Sequence, residues 1–170
     1  DYSTLGGWPE MKGVGANSVM SRADQSFETA AQRGAFQLRQ VCRDLSVRPI
    51  ATYDSEYGSA AFMNLTEDIP ADLLLRLRPN RCLYKAPEPY SGSGRPRKHG
   101  DKFQLANADS WGDSSATFSL EDETVGQVQI QQWSDLHFKK AAQRNFQVIR
   151  VTHPHCSGLW LAWVGNRCHL

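Results

Sequence analysis

Long apolar runs are missing from this chain: nowhere do about eighteen apolar residues follow one another, the length a helix needs to cross a bilayer. The start has no basic-then-apolar leader pattern. It opens on Asp1 rather than Met, as expected of a chain processed or cut from something longer. The reading excludes a membrane partner and expects a cytoplasmic location. Cysteine is scarce, with only Cys42, Cys82, Cys156 and Cys168 present. None of these forms a Cys-x-x-Cys pair, so the expectation is free thiols in a reducing compartment and no zinc framework. His153-Pro154-His155-Cys156 comes nearest to a ligand cluster, but adjacent ligands in one loop need partners elsewhere to complete a shell. Net charge is nearly absent as well, at +1 from 19 Lys and Arg against 18 Asp and Glu.

What charge there is, is unevenly spread. From Arg76 to Lys102 there are eight Lys or Arg against two acids, whereas Asn107 to Thr124 has five acids and no base. Such a division focuses potential on one part of a surface. With 170 residues, 40% hydrophobic and 22% charged, the chain has the size and composition of one globular domain with a sizeable core.

Glycine-rich residues 5–16 read as loop. Ser21 or Asp24 is a candidate cap for a helix starting near Phe27, where Ala31, Gly34, Leu38, Val41 and Leu45 recur every three or four residues. That stripe is read as core packing. Ile50 to Tyr53, bounded by Pro49 and Gly58, has the length and β-branched or aromatic character of a buried strand. A short helix, Ala60 to Leu65, and a strand, Asp72 to Arg78, follow it. The order strand, helix, strand predicts parallel neighbours joined by a crossover. Arg81 to Tyr84 is a further extended run.

Lys85 to Gly100 has no period and many breakers, and is expected to be a long exposed loop. Its Arg95-Pro-Arg97-Lys98-His99 run, with Tyr90 nearby, could neutralise phosphates and offer a stacking face, or could be a plain solvated loop. Beyond it the chain turns β-rich. Val125 to Gln131 alternates, Trp133 interrupts, and Leu136-His137-Phe138 resumes. Asn145 to Thr152 and Leu159 to Val164 follow, as antiparallel strands joined by basic turns such as Lys139-Lys140. His137, between two apolar neighbours, is read as a structural histidine. Trp160 and Trp163, an odd number apart, are expected on opposite faces of their strand, with one toward the core and the other covered only in a fuller protein.

Asp54 stands at the carboxyl end of the Ile50–Tyr53 strand. In open α/β sheets ligands collect at that edge, though a lone Asp there also serves as a cap or turn residue. Several phrases together carry a resemblance: Asp1-Tyr-Ser-Thr, Tyr53-Asp-Ser-Glu-Tyr-Gly58, Leu74-Leu-Arg-Leu-Arg78, Asn80-Arg-Cys-Leu-Tyr84, Gly94-Arg-Pro-Arg-Lys-His-Gly100, and Leu159-Trp-Leu-Ala-Trp-Val-Gly165. In order and spacing the chain resembles the DDE-superfamily transposases of bacterial insertion sequences. The Gly-Arg-Pro-Arg-Lys-His-Gly phrase is the most specific.

The resemblance implies an α/β fold, a partial ribonuclease H-like mixed sheet with a β-rich insertion. Residues 1–84 would be the first part of the catalytic core, 85–152 the basic loop and insertion, and 153–170 the return strand. It implies DNA transposition by an endonuclease and strand transferase using two Mg2+ or Mn2+ ions, hard cations that prefer carboxylate oxygen. Asp1 and Asp54 match the first and second metal-holding carboxylates, and Tyr57 and Gly58 would shape the turn after the second. Arg95, Arg97, Lys98, His99 and Lys102, and more weakly Lys139, Lys140 and Arg144, match DNA-contacting positions.

The implied partners are double-stranded DNA at transposon ends and a second transposase copy, in a bacterial cytoplasm near the nucleoid. The family's third carboxylate lies on a Tyr-x-x-Arg-x-x-x-Glu helix after the last strand, and neither Glu121 nor Glu123 fits it. The expectation is therefore a fragment inactive by itself. Two alternatives accompany it: a non-catalytic DNA-binding remnant, and a partner-binding module displaying Trp133, Trp160 or Trp163 on its surface.

Overall fold

The computed structural model describes residues 29–90, 92 and 94–165, so Asp1 and the candidate caps Ser21 and Asp24 lie outside the described residues. Helix α1, Ala30–Asp44, starts from a complete capping box. The Thr29 hydroxyl accepts from the Gln32 amide at 3.3 Å while the Gln32 side chain accepts from the Thr29 amide at 3.0 Å. Strand β1, Ile50–Tyr53, helix α2, Ala60–Leu65, and strand β2, Asp72–Leu77, form the expected crossover, with β1 and β2 parallel and Ile50 opposite Asp72. Ser59 caps α2 by accepting from the Phe62 amide at 3.3 Å.

Strands β3, Cys82–Tyr84, and β4, Lys102–Gln104, then pair antiparallel across the long loop. A 3-10 turn at Ala108–Ser110 leads to β5, Ala116–Asp122, β6, Gly126–Phe138, β7, Ala141–His153, and β8, Cys156–Val164. The eight strands make one open mixed sheet in the order β1-β2-β8-β7-β6-β3-β4, with β5 beside the first half of β6. This is the ribonuclease H-like α/β arrangement that the resemblance implied. Hydrogen bonding runs unbroken from β2 through β8 to β7 and β6, so the β-rich second half shares the sheet of the first.

Alternation sets the core. Leu73, Leu75 and Leu77 are 0–2% exposed, and register places Val164, Ala162 and Trp160 of β8 beside them, then Val148 of β7 and Trp133 of β6. Tyr53, Tyr57 and Phe62 pack edge-on or tilted with centroids 4.8–5.2 Å apart, joining β1, its turn and α2 to the same cluster. Fully burying one such side chain stabilises by about 1.5–3 kcal/mol. Trp160 lies opposite Leu77 and Trp163 opposite Leu74, so the two occupy opposite faces, and both are buried. Trp133 is buried too, which removes the exposed tryptophan patch on which the partner-binding alternative rested.

Several elements differ from the sequence reading. Trp133 does not interrupt β6; the irregularity comes at Ser134 and Asp135, where register shifts before Leu136 and Asp135 takes a φ of 59°. The added residue resets the alternation, so that Leu136 returns inward. Strand β7 starts at Ala141 because Lys139-Lys140 is a tight turn that needs no linker. Val41 and Leu45, placed in the core stripe, are 52% and 43% exposed. The buried residues of α1 are Gly34, Ala35 and Leu38.

Candidate nucleic-acid interface

The β6–β7 turn carries Lys139 and Lys140, both exposed. Two residues earlier, His137 lies opposite Tyr84 of β3, and Tyr84 lies opposite Lys102 of β4. The basic loop closes on the same place. Gly100 donates to the Lys85 carbonyl and Lys85 to the Asp101 carbonyl, each at 2.9 Å. Antiparallel register thus brings Arg95, Arg97, Lys98, Lys102, Lys139 and Lys140 to one end of the sheet, although about forty residues of chain separate the two sets. All six side chains are exposed. None makes a hydrogen bond or ion pair among the described residues, so their charges stay available to an anion.

His99 behaves differently from its neighbours. Its Nδ1 sits 2.9 Å from Nε2 of His137 and its ring 5.0 Å from that of Tyr84, so it docks inward instead of facing solvent with Arg97 and Lys98. His137 is 2% exposed, the structural histidine expected, and burial together with the adjacent His99 holds its pKa below the ordinary value. Tyr90 keeps an exposed ring while its hydroxyl donates to the Gly94 carbonyl at 2.7 Å. Arg144 is committed to structure. Its half-buried guanidinium donates to the Met63 carbonyl and to the Thr66 hydroxyl, closing the end of α2, and burial lowers its pKa.

The opposite end of β6 is acidic. Glu121, Asp122 and Glu123 form the β5–β6 hairpin tip, where the Asp122 carboxylate accepts from the Val125 and Thr124 amides and its pKa is lowered by them. Asp54 is exposed at the end of β1 and combines both sequence readings. Its Oδ1 accepts from the Glu56 amide at 3.0 Å and its carbonyl from the Tyr57 amide at 3.2 Å, an Asx-type turn, while its second carboxylate oxygen stays open at the strand end. Gly58 seats that turn against the Arg76 backbone of β2.

Among the described residues no group of three or more His, Cys, Asp or Glu side chains is placed to hold a metal ion. Asp54 therefore supplies one hard oxygen donor and not a two-ion set, and Asp1 lies outside the described residues. The His153–Cys156 segment forms the β7–β8 turn, with the His155 amide donating to His153 Nδ1 at 3.3 Å. Cys42, Cys82 and Cys156 are free thiols. No helix among the described residues is long and apolar enough to cross a membrane.

An open ribonuclease H-like sheet with an aspartate at a strand end and a cationic edge defines the class of nucleic-acid-processing folds. Within it, residues 12–139 match the family described as DDE superfamily endonuclease, and the chain belongs to that family. Comparison with curated proteins and with solved structures gives no match. Asp54, the basic loop and the Lys139 end of β6 fall within the matched residues; Asp1 precedes them.

The sequence reading identified the cations but not the platform beneath them. Tyr84 and His137 come together through a strand pairing more than fifty residues apart in sequence, for which no local pattern exists.

Proposed function

We propose that this chain is a DNA-binding portion of a DDE-type transposase, which holds duplex DNA against the sheet end formed by Arg95, Arg97, Lys98, Lys102, Lys139 and Lys140. The observation that carries this reading is the convergence of two unpaired basic segments through the Tyr84–His137 register. Cations so placed neutralise phosphates and release counterions, which gives affinity without sequence specificity. Such a domain would work on transposon ends in a bacterial cytoplasm, beside a second transposase copy. Changing Arg95, Arg97 and Lys98 together to Ala is expected to weaken duplex binding and flatten the plot of log affinity against log salt by about 0.9 for each phosphate no longer neutralised. Unchanged affinity and slope would sink the reading.

Asp54, with Asp1, is the proposed place for Mg2+ or Mn2+, because carboxylate oxygen is the donor these ions prefer. The described residues do not complete a two-ion site, and no catalytic step is assigned to them. The chain alone is expected neither to nick nor to join DNA with magnesium. A magnesium-dependent nick that disappears in Asp54→Ala would show instead that it is a competent nuclease.

A further inference from the structure

The basic segment ends on a pair of imidazoles in hydrogen-bond contact, and the chemistry of that pair is restrictive. His99 Nδ1 and His137 Nε2 face each other at 2.9 Å, so a single proton must lie between them. His137 Nδ1 is buried without a hydrogen-bond partner. Were Nε2 the acceptor, Nδ1 would carry a hydrogen with nothing to receive it, and buried orphan N–H groups are the rarer and costlier kind. The favoured assignment has His137 Nε2–H donating to His99 Nδ1, with the remaining N–H of His99 on Nε2. Tyr84 lies against both rings, at 5.0 Å from His99 and 6.3 Å, stacked, from His137.

We propose that His99 and His137 form a one-proton latch that fixes the root of the Arg95–Lys98 segment to β6 and releases it when both rings become imidazolium. One added proton leaves an imidazolium–imidazole pair that still shares a hydrogen; the next puts hydrogens on both facing nitrogens, so that neither can accept and two imidazolium charges face each other beside a buried ring. No carboxylate forms an ion pair with either histidine among the described residues. Tyr84 is the titratable group facing the pair from β3, while Lys98 and Asp101 flank His99 in the chain, and Asp135 and Lys139 flank His137. None of these forms an ion pair with either ring among the described residues. The root itself is closely packed: a Cβ on Gly100 would fall 2.2 Å from the Ala86 carbonyl oxygen, so the closed loop has no room for a side chain there.

The sign follows from proton counts. The latched state binds fewer protons than the released state, in keeping with the lowered pKa of His137. The latch is therefore fully closed above the ordinary imidazole value of about 6.5 and opens as pH falls below it. Its consequence for DNA rests on the function proposed above. An approaching polyanion favours the doubly protonated pair, so phosphate would draw the basic segment free of β6. The latch is a positioning device that acts through the cations; it does not itself contact phosphate.

The test needs no DNA, which separates it from the binding reading. Amide exchange at Gly100 and Lys85, corrected for intrinsic rate, is followed by NMR between about pH 7.5 and about pH 5, with histidine nitrogen shifts read in parallel. The native protein should show protonated Nε2 on His137 at the upper pH and roughly tenfold faster exchange at the lower one. His99→Ala, which has no acceptor for the His137 Nε2–H, should exchange fast at both. His137→Phe, which keeps a buried ring without a titrating group, should do the same; if it fails to fold, His99→Ala carries the comparison alone. A flat native profile, or an undiminished pH response in His99→Ala, would overturn the latch.

Discussion

A methyl group on Gly58 would come within 2.4 Å of the Arg76 carbonyl oxygen and 3.0 Å of the Leu77 side chain. Backbone oxygen cannot move aside as the end of a flexible side chain can, so the whole Asp54–Ser59 turn would have to lift from β2. Gly58→Ala is expected to cost about 1–3 kcal/mol, the usual range for overpacking a close contact, read as a lower urea midpoint at unchanged slope. A loss under about 0.5 kcal/mol would mean the turn has room to spare. The sequence marked Asp54 and Gly58 as a strand end and its turn, and the structure keeps both. What it could not mark is why glycine is required: the clash is with a residue in the next strand, fixed by a parallel register that local pattern does not specify. The same limit hid the His99–His137 contact, since each histidine alone reads as unremarkable.

At the scale of elements, legibility follows burial. Strand β2 and helix α2 bury one face, and their bounds could be read from alternation and punctuation to within a residue or so. Strand β1, read as a buried strand, leaves Ile50 63% exposed and Ala51 and Tyr53 only partly buried, because it lies at the edge of the sheet with β2 on one side. Strand β5 could not be read at all, because six of its seven residues are exposed and only pairing with β6 makes it a strand. Helix α1 is a different case, for its signal was present. Thr29-x-x-Gln32 is a capping-box pattern, but an apolar stripe counted from Phe27 places the cap upstream, at Ser21 or Asp24. Both halves of the box form. Thr29→Ala removes the hydroxyl half and should destabilise by about 1 kcal/mol. Thr29→Ser, which retains the oxygen, should recover most of that in the same thermal melt. Equal losses in the two variants would place the effect in packing of the threonine methyl instead of the cap.

Across the whole molecule, β6 joins two poles of opposite charge, the Glu121–Glu123 hairpin at its start and the Lys139-Lys140 turn at its end. The segregation was visible in the sequence as a basic stretch followed by an acidic one. That Lys139-Lys140 joins the basic pole was not, because it depends on how far β6 runs. Its 13 residues span about 40 Å at 3.3 Å per residue. Screening at physiological salt acts over about 8 Å, so the poles are separated by several Debye lengths and behave independently. DNA held at the basic end should scarcely sense the acidic tip. Changing Glu121 to Gln, Asp122 to Asn and Glu123 to Gln removes the tip charge, and Asn can still accept from the Thr124 and Val125 amides that close the turn. This triple variant should leave the salt slope of duplex binding unchanged and shift affinity less than about twofold near 0.15 M salt, whereas the Arg95, Arg97 and Lys98 variant lowers both. If neutralising the tip instead steepens the slope or strengthens binding about tenfold, the hairpin lies against the DNA. The bound duplex would then have to run along β6 instead of across its basic end.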